Sequence, residues 1–337
     1  AASFDLSPSS ISIDSGKTTL ALKQLRGTLT TSSGERTAAI SVKGEADQVG
    51  QPIRVDINLT VPKTLEFNDL TGMLNNGLAA EGKLSGAIPS LVEILLDKPG
   101  QLTSILGSQA DMSFSAKRIE NKTVASVALA SDLLTIPDAS FAIDDKIVLL
   151  KPIEIALNGN QNLNGIYSVP GGPTVEYPRN ARLNVQSLSI PLSALHYLDT
   201  SPMVMAYKML LDAKLTLPSL RVNDLPTIGS ASFSDVVVRI DAEPKKRPEI
   251  SLGFSIAPSV DTTLSRLVGD RASFQAFASL GIGLSGQPIV NVFNVQFVSD
   301  LARLDASGEV REGNQLVLNT PSMINYTITT AGLQAMG

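Results

Sequence analysis

The chain has 337 residues, 43% hydrophobic and 18% charged, with a formal net charge of −5. That mix orders a large core and excludes global disorder, while the acid excess speaks against nucleic acid, whose phosphates need a basic surface. Cysteine is absent, which excludes disulfides and thiolate metal sites, and no run of 18 apolar residues is present to span a bilayer as a helix.

In chain order, Ser15-Gly16-Lys17-Thr18-Thr19 has the look of a phosphate-loop tail, but Ile11 stands where the first glycine belongs. The residues that follow alternate as a strand instead of opening a helix, so this is a turn. Residues 53–60 set Ile53, Val55, Ile57 and Leu59 against Arg54, Asp56, Asn58 and Thr60. Side chains of a strand point alternately to its two faces, so this period of two predicts a half-buried strand. Residues 89–106 carry apolar residues at helical spacing, interrupted at Lys98-Pro99-Gly100, and predict two short helices. Strands at 139–143 and 147–151 flank Asp144-Asp145, and Ile153, Ile155 and Leu157 alternate beyond them. A helix is expected over 201–213, with Pro202 in its first turn and Met203, Met205 and Met209 on it. Strands 234–241 and 249–256 enclose the only basic run, Glu243 to Pro248; Ile250, Leu252, Phe254 and Ile256 form the apolar face of the second. Helix is expected again over 260–280, weakened at Gly269-Asp270. Phe293, Val295 and Phe297, then Ile324, Tyr326 and Ile328, return to alternation.

The chain also matches itself. Ser131-Asp132-Leu133 corresponds to Ser299-Asp300-Leu301 at an offset of 168 residues (299 − 131), and Asp138-Ala139-Ser140 to Asp305-Ala306-Ser307 at 167 (305 − 138). Pro152 matches Pro321, and upstream Met112-Ser113-Phe114-Ser115 aligns with Ile282-Gly283-Leu284-Ser285. The expected fold is mainly β: two tandem copies of an antiparallel curved-sheet unit with a few short helices, at 1–165 and 166–337. Two such units in series can form one continuous elongated groove.

Polar motifs give little chemistry. His196 is the single histidine, with no nucleophile elbow to pair with, and reads as structural. Asp138 and Asp144-Asp145 lack the ligand spacing of a calcium loop and read as a hairpin turn. Asn58, Asn121 and Asn325 open glycosylation sequons, two of them inside alternating strands. The methionines of 201–213 either line an adaptable lipid-contacting surface or pack a helix on a sheet. No metal site, cofactor or catalytic constellation is expected.

Residues 146–157 (KIVLLKPIEIAL) and 314–329 (NQLVLNTPSMINYTIT), with the helical pair, the strand ending near Ala116 and the strand into Ser-Asp-Leu, resemble the AsmA-like proteins of bacterial envelopes. The resemblance implies an elongated curved sheet with an apolar groove along which acyl chains slide, a periplasmic or cell-envelope location, and a membrane anchor that this chain lacks. The Ala-Ala-Ser opening and the absence of cysteine suit a processed protein of an oxidising compartment. The residue pattern agrees in part, because few helices are available to cover so many one-sided strands. The candidate ligand-binding residues are Ile53, Val55, Ile57, Ile153, Ile155, Leu157, Ile250, Leu252, Phe254, Phe293, Val295 and Phe297. The expected partner is a lipid or other apolar ligand, together with a membrane or envelope protein, and not nucleic acid. The rival reading is a structural or adhesive tandem β-module that binds a protein through a sheet edge.

Overall fold

The structure is a computed structural model that describes residues 11–14, 19–31, 37–48, 51–62, 79–96, 101–119, 122–157, 174–176, 180–197, 201–225, 229–258, 263–282, 288–311, 315–319, 322–327 and 330. The protein is mainly β, with antiparallel strands and a few short helices. Its contacts group it into two units, Ala1–Ile155 and Ala156–Gly337.

The first unit is a meander, in which each strand pairs with the next. It runs through β1 (Ile11–Asp14), β2 (Thr19–Thr31), β3 (Thr37–Gln48), β4 (Gln51–Pro62) and β5 (Ala79–Gly86). Two helices follow, α1 (Ile88–Leu96) and α2 (Gln101–Leu106), and then β6 (Ala110–Ile119), β7 (Lys122–Ser131), β8 (Leu134–Ile143) and β9 (Lys146–Leu149). β8 also pairs with β10 (Ile153–Leu157). The alternation at 53–60 predicts this placement well, because one-sided strands in sequence favour hairpins between neighbours. The helical pair covers one end of the apolar face. There Ile53, Ala87, Ile88 and Ala110 form a buried cluster against Val55, Leu84, Val92 and Leu129. Buried Glu93 of α1 holds α2 by accepting from the Thr103 amide at 2.6 Å and from its hydroxyl at 2.9 Å.

In the second unit β11 (Thr174–Glu176) and β12 (Ala181–Pro191) both pair with β13 (Leu210–Leu225). A 3₁₀ turn (Leu192–Tyr197) and helix α3 (Pro202–Ala206) lie between β12 and β13. β14 (Gly229–Ala242), β15 (Glu249–Pro258), β16 (Ala272–Ile282), β17 (Pro288–Ser299) and β18 (Ala302–Arg311) continue the meander, with helix α4 (Thr263–Val268) before β16. β18 then pairs with both β19 (Gln315–Leu318) and β20 (Met323–Tyr326).

The Ser-Asp-Leu segments have a structural task in each unit. Gly107 follows α2 in the left-handed region (φ 84°), and its amide donates to the Thr103 carbonyl at 2.9 Å. The Asp132 carboxylate then accepts from the Ser108 amide at 3.1 Å and the Gln109 amide at 3.3 Å. Ser131 closes the turn into β8, its hydroxyl donating to the Leu134 carbonyl at 2.9 Å and accepting from the Leu134 amide at 3.0 Å. In the second unit Gly269 follows α4 with the same φ of 84° and donates to the Ser265 carbonyl at 2.9 Å. Asp300 accepts from the Asp270 and Arg271 amides at 3.1 and 3.4 Å. The Ser299 hydroxyl donates to the Ala302 carbonyl at 3.1 Å and accepts from its amide at 2.9 Å. Glycine is required at both helix ends, since a left-handed backbone disfavours any Cβ. Downstream, the Leu150 amide donates to the Ser140 carbonyl at 2.8 Å, and the Asn319 amide to that of Ser307 at 2.7 Å.

Two helical expectations are corrected. Over 201–213 the helix ends at Ala206; the Tyr207 amide closes on the Met203 carbonyl at 3.1 Å, and Leu210 already opens β13. Among the described residues of 260–280 only Thr263–Val268 is helical, and Phe274, Phe277 and Leu280 belong to β16. In both places a short apolar run suits either period, and pairing to strands on both sides decides for β. The alignment of Met112–Ser115 with 282–285 also fails. Met112–Ser115 lie near the start of β6 (Ala110–Ile119), whereas Ile282 is the last residue of β16 (Ala272–Ile282). Residues 283–285 lie outside the described residues.

Asp144-Asp145 forms the expected turn between β8 and β9, and 243–248 the expected connection between β14 and β15. Thr19 opens a strand; residues 15–18 and Asn121 lie outside the described residues. Met203 and Met205 are buried, as the packing reading requires.

Candidate functional site

Residues directly opposite on neighbouring strands share a face, so the register assembles the faces without further assumption. In the first unit one row runs Val55–Leu84–Met112–Leu129, and the next runs Ile57–Gly82–Phe114–Val127–Ala139. A third runs Leu59–Ala80–Ala116–Ala125–Phe141–Leu149. The intervening rows are polar: Asn58–Glu81–Ser115–Ser126–Ser140 is one, with the Ser115 and Ser126 hydroxyls 2.8 Å apart. Ala139 and Leu149 of the apolar rows are buried, whereas Val55, Ile57, Leu84, Met112 and Phe114 are half-buried.

The second unit has the same division. Ile250–Ala278–Phe293, Leu252–Ala276–Val295 and Phe254–Phe274–Phe297 are three successive apolar rows across β15, β16 and β17. All nine side chains are half-buried. Phe254 stacks on Phe274 with ring centroids 4.8 Å apart and meets Phe233 edge-on at 5.4 Å. At the β12 side Ala181, Leu217 and Val236 form a buried cluster that Leu157, Leu215 and Phe233 pack against.

A glycine under an aromatic ring recurs. The Phe114 ring covers Gly82, where a Cβ would come within 2.7 Å of it, and the Phe293 ring covers Gly308, where a Cβ would come within 2.9 Å. A side chain at either glycine would displace the ring.

Of the sequence-derived candidates, Ile250, Leu252, Phe254, Phe293, Val295 and Phe297 converge on one patch of the second unit. Val55 and Ile57 lie together on the face of the first. Ile53 is 1% exposed beneath the helices and Ile153 is 7% exposed, so both serve packing. Ile155 is half-buried on β10, and Leu157 packs into the second unit's cluster. Phe274 belongs to the patch although its segment reads as helix. Leu84, Met112 and Phe114 join the first face through register alone, although the alternation around them was visible in principle.

Two acidic side chains, one in each unit, carry the clearest electrostatics. The Lys151 ammonium beside Asp138 holds its carboxyl below the ordinary value, and Ser140 adds a hydrogen bond at 3.2 Å. Arg303, with Gln296 as second donor, does the same for Asp305, at 2.7 and 2.8 Å. Asp138 is exposed and Asp305 half-buried; among the described residues no three His, Asp or Glu side chains gather. His196 lies beside Tyr197, with ring centroids 3.8 Å apart. No described helix is long and apolar enough to cross a membrane, which says nothing of strands.

No protein-family model matches the chain, and neither a curated protein nor a solved structure matches it.

Proposed function

We propose that the protein is a non-enzymatic carrier of an apolar ligand with acyl-chain character, held along the half-buried apolar rows of its sheets. The observation that carries this reading is the continuity of those rows. Ile250, Leu252, Phe254, Phe274, Phe293, Val295 and Phe297 give a contiguous apolar surface with water still at it. Each further 100 Å² of that surface covered by an alkyl chain contributes about 2.5 kcal/mol. The interaction is non-directional, so it selects for length and apolarity over head group. The resemblance to AsmA-like envelope proteins, the periplasmic or envelope location and a membrane or envelope partner belong to the same proposal. So does the descent of the two units from one repeat, which the matched locks at Gly107–Asp132 and Gly269–Asp300 support.

The test is native mass spectrometry and organic extraction of the full chain purified from cells without detergent. Bound acyl lipid is expected, and its amount falls in Leu252→Asp and Val55→Asp variants, which put a carboxylate in the rows. A wild-type protein that yields no lipid, and takes none from phosphatidylglycerol vesicles, overturns the proposal.

A protein partner at a sheet edge is the second reading. It is favoured by the last strands, where Leu318, Met323 and Ile324 are 50%, 51% and 76% exposed.

A further inference from the structure

The polar rows of the second unit carry side chains that burial of an apolar ligand does not use. A cavity of about 780 Å³ opens there, within the range of small-molecule sites. Two polar rows, Ser251–Phe277–Asn294–Ser307 and Gly253–Gln275–Gln296–Asp305, supply much of its lining, and Leu252, Phe254, Phe274 and Ala276 of the alternating apolar rows also border it.

Three observations set this cavity apart from an ordinary wet sheet face. Phe277 is an aromatic side chain in a polar row, flanked in register by Ser251 and Asn294, and 36% of it is exposed. Folding gains little from a phenyl ring in that position. Secondly, β14 bulges between Ser234 and Val237, and Asp235 at the bulge holds a left-handed φ of 53° and lines the cavity. Bulges bend a strand and re-aim its side chains. Thirdly, Ser251, Gln275 and Asn294 bring a hydroxyl and two amides to the same lining.

The chemistry of this set selects a ligand class. Hydroxyls and amides both donate and accept, as the vicinal hydroxyls of a sugar require. The only charged side chains in the lining are Asp235 and Asp305, which disfavours anions. Asp305 is already engaged by Gln296 at 2.8 Å and Arg303 at 2.7 Å, so it is no ready cation ligand. An exposed ring presents a negative face to the weakly positive C–H groups on one side of a pyranose. We propose that this cavity is a binding site for a neutral oligosaccharide, with Phe277 as the stacking platform and Asn294 and Ser251 as the polar contacts beside it.

Phe277, Asn294 and Ser251 stand in rows that alternate in register with the apolar ones, so variants at these three positions test the site apart from lipid carriage. The test is titration of the ¹⁵N-labelled full chain with maltotriose, cellotriose and triacetylchitotriose, each to about 10 mM, which nearly saturates a site of Kd near 1 mM. At least one of these probes is expected to shift amides of 251–255, 273–277 and 294–296. Phe277→Ala and Asn294→Ala are expected to weaken that binding about tenfold each. Phe277→Leu, which keeps apolar bulk but removes the ring, checks that the loss follows the aromatic face and not a disturbed fold. No shift with any of the three probes overturns the proposal. So does binding that maps elsewhere, or that survives unchanged in Phe277→Ala and Asn294→Ala.

Discussion

Replacing Gly107 by alanine tests the lock that joins helix and sheet in the first unit. A left-handed φ of 84° costs an L-residue about 1–2 kcal/mol. The new Cβ would also lie 2.6 Å from the Asp132 Cβ and 2.8 Å from its Oδ2, so the carboxylate must move. Moving it breaks the bonds from the Ser108 and Gln109 amides, at about 1 kcal/mol each. The total is about 3–4 kcal/mol. For a unit of this size that lowers the thermal midpoint by roughly 10 °C. Gly253→Ala is the control, because its Cβ meets only the Phe274 carbonyl oxygen at 3.9 Å, and its effect is expected within about 0.5 kcal/mol. Differential scanning calorimetry and urea unfolding read both. A Gly107→Ala protein as stable as Gly253→Ala would refute the reasoning. Gly269→Ala, where the Cβ would lie 2.8 Å from both Cβ and Oδ2 of Asp300, is expected to cost a similar amount in the second unit.

Other outcomes follow from the same contacts. Glu93→Ala removes the acceptor of two Thr103 bonds from a buried position and should destabilise the first unit by about 2–3 kcal/mol in urea unfolding, more than Glu93→Gln. Phe254→Ala loses a stacked and an edge-on aromatic partner and should cost about 3 kcal/mol, with reduced uptake of acyl lipid measured on the same sample. Asp138 and Asp305 have lowered pKa values in the fold. Their contribution is therefore fully present above the ordinary carboxylate pKa of about 3.9 and is lost as pH falls through the folded values. Carboxyl NMR titration should show Asp305 moving up toward that ordinary value in Arg303→Ala, and Asp138 likewise in Lys151→Ala.

The alternation of Ile53 to Thr60 and of Ile250 to Ile256 was enough to specify one-sided strands, because side-chain direction in a strand follows from sequence position alone. The Ser-Asp-Leu match was legible too, though its purpose was not. Asp132 and Asp300 act on amides 23 to 30 residues away, and nothing local to those aspartates points there. Segments 207–213 and 270–280 went the other way. Their apolar spacing fits a helix as well as a strand, and only pairing of β13 and β16 on both edges chose.

The sequence by itself determined the class of the fold, the polarity of each strand and which apolar residues share a face within a strand. Those properties depend on a period of two and on turn residues, both local. Tertiary structure alone decided the register that lines up Phe254, Phe274 and Phe297, the burial of Ile53 under α1, and the cavity beside Phe277. Each of these requires knowing which distant residue stands opposite, and that is settled by the summed pairing of whole strands and not by any short stretch.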